Sequence, residues 1–209
     1  MPSVNTRVFF SKMDRAKYIS HLDLNHCIQR AMKRSRLPIW QTEGFNPHTY
    51  VAFMLPLSLG QEGVCEAMDF RLTEDVASDE VMSRLNEALP PDIRIIRVAD
   101  PKYKNTDIKT AEYEIESDVD TEKFRDFCSR EQILTEKKTK RGVSTVDLKP
   151  LITELSVSDK ITLRLPAGND FNINPALLFE AFQQETGEQI SRMRIVRTRI
   201  FCADGNEFC

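Results

Sequence analysis

The chain sets short β-prone runs on either side of single helix-length apolar stripes, and it does so twice in the same order. That order constrains the fold more than any composition figure, because connections are short and neighbouring strands tend to pair. Arg7-Val8-Phe9-Phe10-Ser11 reads as the first strand. Ser20 then caps a helix, with Asp23 three residues on in a capping-box relation. Leu24, Cys27, Ile28, Ala31 and Met32 form its apolar stripe, opposite His26, Arg30, Lys33 and Arg34. The helix ends before Leu37-Pro38, since the residue before proline disfavours the helical region. Ile39-Trp40-Gln41, Tyr50 to Leu55 and Glu66 to Leu72 read as strands, with loops at residues 43–48 and 60–63. Ser78 caps a second helix, Pro90-Pro91 stops it, and residues 93–98 form a closing strand.

The same order follows a polar link at residues 100–105. Residues 111–116 read as a strand and 121–131 as a helix with Phe124, Phe127 and Cys128 inward. Strands are expected at 132–138 and 145–148 around the basic turn 137–142, and again at 151–157 and 160–165. Asn174 caps the last helix with Pro175 at its first position and Gly187 past its end; residues 193–201 close the chain. Strand, helix, strands, helix, strand predicts an α+β protein of two tandem ferredoxin-like (βαββαβ) units with antiparallel sheets, spanning residues 1–100 and 101–209. No sequence identity links the halves; only the order repeats.

Charge is uneven along the 209 residues. Residues 1–60 carry eight basic and three acidic side chains, whereas 61–100 carry four basic and ten acidic. The overall charge of −3 excludes a basic nucleic-acid-coating protein, and no apolar run is long enough to span a membrane. Residues 1–12 hold no apolar signal core, so a cytoplasmic protein with reduced thiols is expected. The five cysteines are widely spaced and match no zinc or iron–sulfur pattern; no bound metal is expected.

Four segments carry groups suited to chemistry. His21 opens a helix, where free N–H groups favour an anion, and Asp23 and His48 are candidates to join it. Packing under a neighbouring loop is the alternative for that histidine. Arg30, Lys33, Arg34 and Arg36 put four cations within seven residues, suited to a phosphate backbone or simply to solvent. The loop Gly44-Phe45-Asn46-Pro47-His48, with Trp40 and Tyr50 beside it, offers aromatic rings on which bases stack, unless those rings are core. Arg192 and Arg194 share one face of the final strand and Arg197 and Arg199 the other, if it is regular; ion pairs with Glu112, Glu114 and Glu116 are the alternative role.

Residues 17–24 (KYISHLDL), 30–38 (RAMKRSRLP), 43–48 (EGFNPH), 56–60 (PLSLG), 139–142, 146–150 and 195–199 resemble the signature of the radical-SAM-linked proteins, a bacterial family of unknown function. Its members occur beside, or fused behind, a radical S-adenosylmethionine protein, often near genes for a ribonuclease and ribosomal proteins. The resemblance therefore implies a radical S-adenosylmethionine partner that itself holds the iron–sulfur cluster and S-adenosylmethionine, since this chain lacks the three-cysteine motif. It brings no catalytic residue. A weaker resemblance in architecture links the chain to CRISPR repeat-processing endoribonucleases, which look like tandem ferredoxin-like domains and often cut RNA with a histidine and no metal. Fold does not fix function.

The expected function is a non-catalytic RNA-binding or substrate-presenting module in RNA or ribosome maturation. Its phosphate-binding face would be His21, Arg30, Lys33, Arg34 and Arg36, with Phe45, Asn46 and His48 as a lip. The rivals are a metal-independent endoribonuclease using His21 or His48 with Asp23 nearby, and an adaptor that meets only protein.

Overall fold

The computed structural model describes residues 3–139, 142–168 and 171–208. The expected turn residues Lys140 and Arg141, and the terminal Cys209, lie outside them. The protein is a mixed α+β fold in which every pair of neighbouring strands given below is antiparallel. It divides into two compact units, one ending at Asp107 and the other running from Ile108 to Phe208. The polar link 100–105 stays with the first unit.

The first unit contains β1 (Val4–Lys12), α1 (His21–Ser35), β2 (Ala52–Phe53), β3 (Glu62–Leu72), α2 (Ser78–Ala88) and β4 (Ile93–Ala99). β1 pairs with β3 and with β4, and β2 pairs with β3, giving the order β4-β1-β3-β2. Alternation along the strands decides which face meets the helices. Val8 and Phe10 of β1 and Met68, Phe70 and Leu72 of β3 pack with Leu24, Ile28, Met32, Val81 and Leu85 of the helices. Burying each such side chain contributes about 1.5–3 kcal/mol. Arg7, Asp69 and Arg71 alternate with these residues and so face the other way.

The second unit contains β5 (Ile108–Ser117), α3 (Thr121–Cys128), β6 (Leu134–Thr139), β7 (Gly142–Asp147), β8 (Glu154–Val157), β9 (Ile161–Pro166), α4 (Ala176–Thr186) and β10 (Met193–Cys202). Its sheet order is β10-β5-β9-β8, and β6 and β7 form a separate hairpin. An aromatic cluster joins its helices: Phe124 stacks on Phe179 at 4.8 Å and Phe127 meets Phe182 edge-on at 5.5 Å.

Several expected elements differ. Ile39 and Gln41 make single bridges, to Leu72 and Thr49, rather than a strand. The run from Tyr50 to Leu55 pairs only at Ala52 and Phe53. β3 begins at Glu62, so Gly63 is a strand residue and not part of a loop; a Cβ there would collide with the Glu66 carboxylate. α2 is capped at Ala77 without a side-chain bond, and Ser78 lies inside its first turn. α3 stops at Cys128, and residues 149–151 form a 3-10 turn before β8.

Candidate nucleic-acid interface

α1 positions the basic segment. The Ser20 hydroxyl accepts the Asp23 N–H at 3.1 Å and donates to the Asp23 carboxylate at 2.7 Å. Asp23 thus holds the capping hydroxyl instead of reaching back to the Ser20 N–H. The His21 ring lies edge-on to Phe53 at 4.9 Å. At 3.6 residues per turn, Arg30 lies roughly 180° round the helix from His21. The structure therefore does not bring His21 onto the face of Arg30, Lys33 and Arg34. Among the described residues, His21 makes no hydrogen bond to Asp23 or to His48, so the three do not form a hydrogen-bonded constellation.

The outer face of α1 instead groups His26 with the cations. His26, Gln29, Arg30 and Lys33 line an open depression of about 210 Å3. His26 and Arg30 also line an adjoining one of about 260 Å3 with Asp23, Cys27 and Arg34. Burial pushes the Cys27 thiol up, opposed by Arg34 and Arg30, so the thiol stays protonated at neutral pH and is a poor nucleophile.

The cations have different duties. Arg34 donates to the Ala88 carbonyl at 2.7 Å, at the C-terminus of α2. Arg84 of α2 returns the favour, donating to the Ser35 carbonyl at 2.8 Å at the end of α1. Each guanidinium satisfies a terminal carbonyl of the other helix and opposes its dipole. Arg30, Lys33 and Arg36 have no carboxylate partner among the described residues. Arg36 sits just past the helix at φ 56°, a left-handed conformation that glycine adopts without cost and arginine does not.

The 43–48 loop is closed by its own residues. Thr42 N–H donates to the His48 carbonyl at 2.8 Å, and His48 N–H donates to the Thr42 hydroxyl at 3.1 Å. The His48 Nδ1 lies 3.0 Å from that hydroxyl and 3.1 Å from the Asn46 carbonyl oxygen, so its ring staples the loop. Gly44 takes φ 126°, which only glycine tolerates easily. The outcome is a fully exposed Phe45, at 106% relative accessibility. Gln29 joins loop and helix by donating to the Thr49 carbonyl at 3.3 Å.

β10 looks equally cationic in sequence, but two of its arginines meet carboxylates. Arg194 lies 3.6 Å from Glu116, and Arg199 lies 3.4 Å from Glu112. A register shift between Arg197 and Arg199 breaks the alternation, so Arg197 is buried and Arg199 exposed rather than side by side on one face. Among the described residues no group of three or more His, Cys, Asp or Glu side chains is placed to hold a metal ion. No helix among them is long and apolar enough to cross a membrane.

Residues 5–175 match a family described as an uncharacterized protein conserved in bacteria (DUF2344). The chain belongs to this family. The family's description names no reaction, cofactor or partner, and makes no link to radical S-adenosylmethionine chemistry or to CRISPR RNA processing. No curated protein matches the chain. Among solved structures, an unknown protein from Galdieria sulphuraria is similar over 94% of this chain and 99% of its own, at 12% identity and a TM-score of 0.30.

Sequence reasoning passed over Gln29 and Arg71. Arg71 lies close to two aromatic rings, 5.2 Å from Trp40 and 5.8 Å from Tyr50. The signal for it was the alternation of Asp69 and Arg71 with Met68, Phe70 and Leu72, which puts charge on one face of β3.

Proposed function

We propose that the first unit binds single-stranded RNA through its phosphates and presents it to a partner enzyme. The observation that carries this reading is the junction at Gln29, which lines the depression with Arg30 and Lys33 and also holds the end of the Phe45 loop. One residue thereby links the unpaired cations to the loop that displays Phe45, and charge with an exposed ring is the combination that tracks a single strand. Arg36 adds to it, because a cation kept where glycine would be less strained suggests a role for the charge.

We read both units as ferredoxin-like. The shared order, fourth strand, first, third, second, supports this, with the β6–β7 hairpin inserted in the second unit. The partner in this reading is a radical S-adenosylmethionine protein, a proposal that rests on the sequence resemblance alone. It would bring the cluster and S-adenosylmethionine, in the cytoplasm.

The test is fluorescence anisotropy of a labelled single-stranded RNA against a salt series, with the RNA recovered on a gel after incubation in EDTA. Replacing Arg30, Lys33 and Arg36 together by glutamine should flatten the log–log salt slope by about 2 units. Phe45→Ala should weaken binding by about tenfold, one lost stack. The recovered RNA should be intact. An unchanged slope and affinity in the triple variant sinks the proposal. Cleavage in EDTA that is lost with His21→Ala or His48→Ala would establish the ribonuclease instead.

A further inference from the structure

A cavity of the first unit lies on the sheet face turned away from its helices, not at α1. It has a volume of about 440 Å3, within the usual range for a small-molecule site. Its floor is the cross-strand pair Arg7 and Asp69, joined at 2.7 and 2.9 Å by two parallel N–H···O bonds. Arg7 is 1% exposed and pinned there, so the pair is a rigid polar base. Ala52, opposite Asp69 in the β2–β3 register, leaves that floor uncovered.

The walls differ in character from the floor. Tyr50 lines one side, its ring partly exposed beside the Arg71 guanidinium. Residues 101–106 line another side with Lys102, Tyr103 and Lys104. Four cations thus face one carboxylate, and that carboxylate is already engaged by Arg7. Among the described residues, Arg71 has ring contacts and no acidic partner. A guanidinium whose contacts are with ring faces keeps its N–H groups available to an anion.

We propose that this cavity binds a single nucleotide, its base against Tyr50 and its phosphate at Arg71. The chemistry is a phosphate next to a flat aromatic group, carried either by a free mononucleotide or by the 5′ end of an RNA chain. The site does not rest on the α1 reading, because none of its residues lies on α1.

Trp40 is the single tryptophan of the chain and sits against Arg71, so its emission reports on the site. The full chain is titrated with 5′-AMP and 5′-UMP, with the matching nucleosides and with inorganic phosphate. Both nucleotides should give a saturable change, with nucleosides and phosphate weaker by at least about tenfold, because each lacks one half of the recognised chemistry. Arg71→Gln and Ala52→Phe should each weaken nucleotide binding about tenfold, one by removing the anion contact and the other by filling the floor. Lys102→Gln with Lys104→Gln, both exposed, should weaken it a few-fold without risk to the fold. Arg30→Gln with Lys33→Gln should leave it unchanged, which separates this site from the RNA face. A 5′-phosphorylated oligoribonucleotide that displaces UMP identifies the chain end as the source, and one that does not identifies the free nucleotide. No saturable change by emission and calorimetry, equal binding of phosphate or nucleoside alone, or unaltered binding in all the cavity variants would overturn the proposal.

Discussion

α1 and β10 carry similar numbers of cations, yet the fold uses them in opposite ways. On β10 the antiparallel register sets Glu116 opposite Arg194 and Glu112 opposite Arg199, so these two arginines are neutralised across the ladder. On α1 the outer face has no strand beside it to bring carboxylates into register. Among the described residues, Arg34 is the one cation of that face tied down, by a carbonyl and not an acid. On β10 a cross-strand carboxylate answers the cation; on the exposed face of α1 the cation keeps its field for something outside the chain.

Breaking a paired cation should cost most where it is buried. Asp69→Ala leaves the Arg7 guanidinium without its carboxylate in the sheet and should lower stability by about 3 kcal/mol, read from the urea midpoint at constant slope. Glu112→Ala in the second unit removes one acceptor shared by Arg164, Arg199 and the Thr198 hydroxyl. Its cost should be about 1–2 kcal/mol, with RNA binding unaltered, because these cations serve structure. Should RNA binding rise sharply in that variant, β10 is a masked binding face and the contrast fails.

The α1 side makes the reverse prediction. Arg36→Gly relieves the left-handed conformation and should raise stability by about 1 kcal/mol while lowering RNA affinity. Thermal melts and anisotropy on one preparation read both effects. A loss of stability would mean that Arg36 is held by contacts and is not available to a ligand.

The smallest effect concerns an acid held by backbone instead of by a cation. Ile133 N–H and Lys149 N–H each donate to the Asp147 carboxylate at 3.0 Å, and these bonds hold it below the usual carboxylate range. A lowered folded value contributes stability above the unfolded pKa of about 4, and loses it as pH falls through the folded value. Asp147→Asn should therefore flatten the dependence of the urea midpoint on pH below about 4. An unchanged pH profile would show that the base of the β6–β7 hairpin does not sense this carboxylate.

The helices were legible because their stripes repeat at 3.6 residues and their ends carry distinct signals. Ser20 and Gly187 act as read, the first by its hydroxyl and the second at φ 74°. The strands between them were less so. Tyr50 to Leu55 is apolar enough for a full strand, but pairing depends on a partner's reach, and its ladder with β3 holds only Ala52 and Phe53. Gly63 resembled a loop marker, whereas its lack of a side chain admits the Glu66 carboxylate within a strand. For the site, the cations and Phe45 could be named from their spacing. Their division of labour could not: Arg34 is committed to Ala88, 54 residues away, and no local pattern encodes that distance. Likewise His48, offered as a catalyst by residue type, is engaged with Thr42 and Asn46 inside its own loop.

β2, at two residues, also shapes how the chain behaves in a crowd of its own copies. A long bare strand invites another molecule to add to it, and the addition propagates into fibres. Ala52 and Phe53 offer a ladder too short to template such growth. The same brevity that makes this strand hard to see in the sequence makes it a poor template for another chain.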